Sequence, residues 1–160
     1  MSEILRKAVQ SDLDQIYLMG IDVWAEGATD TDYLDACRSS PKYKRGTWYV
    51  LEKDSNLLSS LIVYQQGSKQ FGIGSIATPK FLRKKGYASK LIFKVVAELE
   101  QKDQEVTIFL YSDISPEFYE KFGFQRLPSQ LQRYKATICM ARGIAVQSVV
   151  TDESATPEYF

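Results

Sequence analysis

Ala88, Leu91, Ile92, Val95, Val96 and Leu99 recur at the i, i+3, i+4 spacing of one helix face, and a β-forming run stands on either side of them. Phe71, Ile73 and Ile76 precede the helix with Gly72, Gly74 and Ser75 interleaved, and Glu105 to Tyr111 follows it as Glu-Val-Thr-Ile-Phe-Leu-Tyr. A strand, a helix of this length and another strand form a crossover, which pairs the two strands in parallel. The three strands that precede the helix, joined by short loops, read as an antiparallel meander. Upstream, Thr47 to Leu51 and Leu57 to Tyr64 read as strands joined by the turn cluster Asp54-Ser55-Asn56, and Gly67-Ser68 turns the chain into the strand at Phe71. Ile4 to Ala8 is a further strand.

The helical pattern elsewhere is shorter. Leu13, Ile16, Tyr17, Gly20 and Trp24 share a face after the cap sequence Ser11-Asp12-Leu13-Asp14, so one helix is expected over 12–24. Asp30 is expected to cap a second helix that carries Tyr33, Leu34 and Cys37 and ends at Ser39-Ser40-Pro41. Ser115-Pro116-Glu117 opens a short helix with Phe118, Tyr119 and Phe122 on one face and Gly123 behind it. Phe124 to Leu127 and Tyr134 to Met140 read as closing strands. One domain is expected over 1–142, with a tail over 143–160 in which Ala145 to Val150 reads as an added strand.

Composition narrows the chemistry. Lys and Arg total 20, Asp and Glu total 20, and histidine is absent. A net charge of zero argues against nucleic acid as the partner. The missing histidine removes the Ser-His-Asp triad, the Cys-His pair and every histidine-ligated zinc site. Two distant cysteines, Cys37 and Cys139, cannot form a C-x-x-C pair; they read as buried thiols of a reducing cytoplasm, with one disulfide between them as the alternative. No metal site and no membrane span is expected.

Chemistry is concentrated where the strand at Ile76 runs into the long helix. The connection reads Thr78-Pro79-Lys80-Phe81-Leu82-Arg83-Lys84-Lys85-Gly86-Tyr87-Ala88-Ser89. Free N–H groups at a helix start hold anions, and Gly86 allows close backbone approach. Basic side chains there oppose the helix dipole, a cost that a bound polyanion relieves. The loop lacks the Walker G-x-x-x-x-G-K-[ST] pattern. Gly72-Ile73-Gly74-Ser75-Ile76-Ala77 fits G-x-G-x-x-A in form, but no helix opens there, so the dinucleotide fingerprint is rejected.

Arg83-Lys84-Lys85-Gly86-Tyr87-Ala88 resembles the R/Q-x-x-G-x-G/A loop of the GNAT superfamily of N-acetyltransferases, and Phe118-Tyr119-Glu120-Lys121-Phe122-Gly123-Phe124 is similar to its second hallmark, Y-x-K-x-G-F. The order of elements from Ile4 to Met140 fits the same family. The resemblance implies an α/β (α+β) fold, a mixed, mostly antiparallel central sheet of about six to seven strands flanked by about four helices. It implies acetyl-CoA as donor and CoA as product. Backbone N–H groups of Lys84, Lys85, Gly86, Tyr87, Ala88 and Ser89 would hold the pyrophosphate with Arg83 beside them. Ile76, Ala77 and Thr78 would pair with the pantetheine arm in the manner of an added strand. Ser112 and Phe118 would complete the cofactor contacts, with Ser112 standing where the family often has Asn.

Tyr119 falls at the position that protonates the leaving thiolate in the family. The base is less defined. Phe71 to Thr78 holds no carboxylate, and Asp113, just past the next strand, is the nearest acid by topology. Glu26, Asp30 and Asp32 lie where the family builds its acceptor site. Trp24, Tyr33, Trp48 and Tyr64 are the expected lining of the acceptor pocket, and aromatics with scattered acids suit a cationic amine. The expected partner is a small-molecule amine or a protein amine, and the expected assembly a monomer or homodimer. A catalytically silent acyl-CoA-binding module is the alternative. An RNA-binding factor built on the Lys80–Lys94 stripe is a third reading, disfavoured by the lack of an aromatic RNA platform.

Overall fold

The computed structural model describes residues 2–143 and 156–160. The strand expected over Ala145 to Val150 lies outside these residues. Seven strands form one sheet in the order β1-β2-β3-β4-β5-β7-β6. They are β1 (Ile4–Lys7), β2 (Thr47–Lys53), β3 (Asn56–Gly67), β4 (Gln70–Ala77), β5 (Thr107–Ser112), β6 (Gln125–Arg126) and β7 (Ile138–Arg142). The β1–β2, β2–β3, β5–β7 and β6–β7 pairs are antiparallel, and β4–β5 is parallel, as the crossover demands. The mixed α/β sheet of the expected class is therefore present.

Six α-helices, rather than about four, occur among the described residues: α1 (Leu13–Leu18), α2 (Ile21–Trp24), α3 (Asp30–Ser39), α4 (Pro41–Arg45), α5 (Tyr87–Lys102) and α6 (Glu117–Glu120). The extra count comes from two interruptions. The helix expected over 12–24 breaks at Gly20, whose missing Cβ leaves room for the Trp24 ring stacked on it. The region 30–45 breaks at Ser40, whose extended backbone ends α3 and whose side chain accepts from Tyr43 N–H at 3.2 Å to cap α4. The cap of α3 is Thr29 rather than Asp30, its hydroxyl accepting from Asp32 N–H at 3.1 Å.

Contacts divide the chain into two compact units, residues 1–63 with 75–95 and residues 64–74 with 96–160. In the first, Val50, Leu51, Leu61, Ile62, Leu91, Ile92 and Val95 are wholly buried. Cys37 is buried and free, and burial raises its thiol pKa. In the second, Ile108, Phe109, Cys139, Met140 and Ala141 are wholly buried and Phe124 almost so. Burial pushes the free Cys139 thiol up to about 12. Of the stripe read from the sequence, Leu91, Ile92, Val95, Val96 and Leu99 are buried along α5 and Ala88 is half-buried. At about 1.5–3 kcal/mol for each large side chain, this stripe is what makes α5 the longest helix.

The closing strands are shorter than the sequence pattern suggests. β7 begins at Ile138 rather than Tyr134, and the Gln132 side chain bonds the backbone of Cys139 within it. Its Nε2 donates to the Leu127 and Cys139 carbonyls at 2.9 and 3.0 Å, and its Oε1 accepts from Cys139 N–H at 2.8 Å. At the other end of the unit, Arg142 lies over Gly123, which has a left-handed φ of +85° and no Cβ to block it. The guanidinium reaches the Phe122 carbonyl at 2.6 Å and Glu100 through two bonds of 2.9 Å.

Candidate functional site

In the first unit the end of β4 leads through a 3-10 turn at Lys80–Leu82 into the loop that opens α5. Two residues of this loop are left-handed, Lys84 at φ 66° and Gly86 at φ 83°. A Cβ on Gly86 would meet nothing within 4 Å, so the glycine is there for its backbone conformation and leaves the turn open to solvent. The first bond of α5 runs from Lys90 N–H to the Gly86 carbonyl at 3.1 Å. The N–H groups of Tyr87, Ala88 and Ser89 lie before it, in the first turn that an α-helix leaves unpaired.

Arg83 does not point its charge at this turn. Its Nε donates to the Thr78 carbonyl at 2.9 Å, and its two terminal nitrogens hold both oxygens of Asp22 at 2.7 Å. A longer bond of 3.3 Å reaches the Met19 carbonyl. Arg83 therefore fastens the loop to α2, and the Asp22 carboxyl is held below the usual range by this hydrogen bond. Nothing in the sequence pointed to Asp22, which lies far from Arg83 along the chain. Lys90 pairs with Glu3 at 2.8 Å. Lys84 and Lys85 are exposed and, among the described residues, carry no ion pair.

β4 itself is modified near its end. Its ladder with β5 runs from Gln70↔Thr107 to Ile73↔Leu110 and stops there, although β4 continues to Ala77 and β5 to Ser112. Ser75 has a left-handed φ of 47°, unusual for a residue with a side chain. Ile76 and Thr78 are half-buried and Ala77 is buried. The Ser59 hydroxyl fixes the strand end, donating to the Ala77 carbonyl at 2.7 Å and meeting the Thr78 hydroxyl at 3.0 Å.

The expected acceptor residues of this unit are not gathered around one point. Trp48 packs in an aromatic cluster with Tyr17 and Tyr43 at centroid distances of 6.1 and 5.1 Å. The cluster lines a cleft of about 580 Å³ with Asp14 and Arg38 at its side. Trp24 is exposed and lies over Gly20. Tyr33 is half-buried, with a phenol pKa raised mainly by burial. The cleft was not visible in the sequence because its aromatic residues come from α1, α4 and β2.

In the second unit α6 carries Tyr119, 8% exposed, with the Phe118 ring edge-on at 5.1 Å. Burial, with a smaller effect of the Asp113 charge, pushes the phenol up to about 12, so it holds its proton at neutral pH. Phe118 meets Phe122 edge-on in turn and carries the Lys121 ammonium 4.2 Å from its centroid. Ser112 is 3% exposed, and its hydroxyl donates to the Ile114 carbonyl at 2.6 Å. Asp113 is exposed and accepts from the Tyr159 hydroxyl at 2.7 Å. Tyr64 is buried against the Phe160 ring. No group of three or more His, Cys, Asp or Glu able to hold a metal ion occurs among the described residues. No helix among them is long and apolar enough to cross a membrane.

The family model for the acetyltransferase (GNAT) domain matches residues 5–127, and the chain belongs to that family. No curated protein matches the chain. Its fold is shared with the ribosomal-protein-S18-alanine N-acetyltransferase of Escherichia coli, with 18% identity, TM-score 0.67, and coverage of 89% of this chain and 94% of that one. The PaiA N-acetyltransferase of Thermoplasma acidophilum, solved with coenzyme A, gives 14%, 0.67, 89% and 99%. A GNAT family acetyltransferase of Brucella melitensis, solved with acetyl-CoA, gives 20%, 0.60, 89% and 89%.

Proposed function

We propose that this chain is an N-acetyltransferase that moves the acetyl group of acetyl-CoA to a primary amine by direct attack. The observation that carries the reading is the turn Lys84–Gly86 ahead of α5, with two left-handed residues and two unpaired lysines on an open face. Membership of the GNAT family supports acetyl-CoA as the donor. In this reading the loop N–H groups from Lys84 to Ser89 take the pyrophosphate, with Lys84 and Lys85 adding charge. Arg83 acts by fixing the loop through Asp22. Ile76, Ala77 and Thr78 pair with the pantetheine arm, because β4 has no β5 partner after Ile73.

The neutral amine nitrogen attacks the thioester carbonyl, and the N–H groups near Ile76 and Ala77 stabilise the oxyanion. The C–S bond breaks, the sulfur leaves as a thiolate, and Tyr119 gives it a proton. The proton of the new amide nitrogen leaves to water or to Asp113. Phe118 holds the Tyr119 ring edge-on and so positions the acid.

Calorimetric titration with CoA and acetyl-CoA tests the cofactor, and thiol release over an amine panel tests the transfer. The panel includes a free amino acid, a polyamine and a peptide with N-terminal alanine, since the Escherichia coli neighbour is named for that acceptor. Saturable CoA binding with amine-dependent thiol release is the expected result. Binding with no thiol release from any amine identifies the silent module, which the engaged Ser112 hydroxyl and Asp113 carboxylate would favour. No binding of either CoA species refutes both readings.

A further inference from the structure

We propose that residues 156–160 wall the amine side of the second unit, and that Phe160, seated on the two glycines of β4, sets the size of amine accepted. The inference rests on the acetyltransferase reading.

The starting observation is an unexplained pair of glycines. Gly72 and Gly74 interrupt β4, where each glycine costs about 0.5–1 kcal/mol relative to alanine. Neither is among the glycines with positive φ, so backbone conformation does not account for them. Close approach does so at Gly72, whereas at Gly74 the ring stands at ordinary contact distance. A Cβ on Gly72 would lie 2.6 Å from the Phe160 ring, and one on Gly74 would lie 3.6 Å from it. The ring lies on bare backbone, with Tyr64 at 5.7 Å and Tyr111 at 5.5 Å between centroids. Its apolar surroundings are Phe109, Leu127, Leu131 and their neighbours.

The segment is anchored along its length. Thr156 is buried, and its hydroxyl donates to the Leu131 carbonyl at 2.8 Å. The Thr156 carbonyl accepts from Arg133 at 2.8 Å. The Tyr111 hydroxyl donates to the Pro157 carbonyl. Tyr159 N–H donates to the Tyr134 hydroxyl at 3.1 Å, and the Tyr159 hydroxyl donates to Asp113 at 2.7 Å. These contacts reach Asp113, a proton acceptor in the proposed function, and Tyr64, which the sequence reading places in the acceptor lining. Phe160 covers Tyr64, and Tyr159 occupies one oxygen of Asp113. An amine that approaches Tyr64 meets the Phe160 ring, and a slender amine is accommodated more readily than a bulky one. Phe160 touches no reacting atom in this scheme; it is a specificity-determining residue.

The test compares ethylamine with 2-phenylethylamine in the full chain, as wild type, Phe160→Ala, Phe160→Leu and Gly72→Ala. Thiol release from acetyl-CoA gives kcat/KM, and calorimetry gives amine affinity of the CoA-loaded protein. Phe160→Ala is expected to raise the phenylethylamine-to-ethylamine ratio at least tenfold. Gly72→Ala, which keeps the ring but pushes it off β4, is expected to raise it too. Phe160→Leu, which keeps most of the bulk, is expected to stay near the wild-type ratio. An unchanged ratio with both rates falling alongside the melting temperature would mean ordinary core packing and would overturn the inference. Failure of the acetyltransferase reading shows separately, as wild type that binds no CoA or releases no thiol. Calorimetry of the amines with CoA-free protein then decides. Gained phenylethylamine affinity in Phe160→Ala supports the wall, and no gain overturns it.

Discussion

Gly86 is the position where stability and cofactor binding separate most cleanly. Its φ of 83° costs an L-residue about 1–2 kcal/mol. A Cβ there meets nothing within 4 Å, so no steric clash is added. In a chain of this length about 1 kcal/mol shifts the melting temperature by about 2–4 °C. Gly86→Ala is therefore expected to melt about 2–8 °C below wild type in the absence of CoA. Gly86→Asp carries the same backbone strain and adds a negative charge on the open side of the turn. A carboxylate about 4 Å from a phosphate oxygen costs about 1 kcal/mol in water-like surroundings and about 4 kcal/mol at an effective dielectric of about 20. The CoA dissociation constant should rise between about fivefold and about a thousandfold. Differential scanning calorimetry of both variants and isothermal titration with CoA supply the two readings. A folded Gly86→Asp with wild-type CoA affinity would refute the phosphate-turn assignment. A loss far beyond about 8 °C in Gly86→Ala would refute the claim that only backbone strain is at stake.

Two further perturbations follow from the second unit. Tyr119→Phe should lower the rate of amine-dependent thiol release by about a hundredfold or more, with CoA affinity retained; near-normal turnover would remove its role as acid. Because the Tyr119 phenol is pushed up to about 12 against about 10 when unfolded, its neutral form supports the fold fully below pH 10. That support is lost as pH rises from about 10 through about 12, so alkaline melting should be steeper in wild type than in Tyr119→Phe. Gly123→Ala should cost about 2–3 kcal/mol in urea unfolding. About 1–2 of this is left-handed strain and about 1 the displaced, partly exposed Arg142–Glu100 pair. A cost of only about 1 kcal/mol would show that the Arg142 guanidinium moves aside without loss, and one under about 0.5 kcal/mol would refute the strain as well.

The crossover was legible because α5 and its flanking strands follow local rules. Leu91 to Leu99 keep one face, and Glu105 to Tyr111 is rich in β-formers, so periodicity alone locates the elements. The loop at Gly86 and the α6 tyrosine were legible as motifs. The remaining parts depend on groups far apart in the chain. Arg83 looked like a phosphate ligand because its partner, Asp22, sits on another helix. Asp113 read as an available acid because the Tyr159 that bonds it comes much later. Gly72 and Gly74 matched a dinucleotide pattern by spacing, whereas the Phe160 ring seated on β4 supplies the physical reason for Gly72. The break at Gly20 escaped periodicity because glycine does not disturb an apolar stripe, although it readily accepts the Trp24 ring.

The two cysteines have a practical consequence for any assay of this chain. Cys37 and Cys139 are the only thiols in 160 residues, both are buried, and burial raises the pKa of each. A disulfide reagent needs an accessible thiolate, so near neutral pH the native protein should stay silent toward it. Colour developed during turnover then counts only sulfur released from the donor. The same reagent in denaturant should read two equivalents per chain, which makes the background a built-in gauge of how much protein has unfolded.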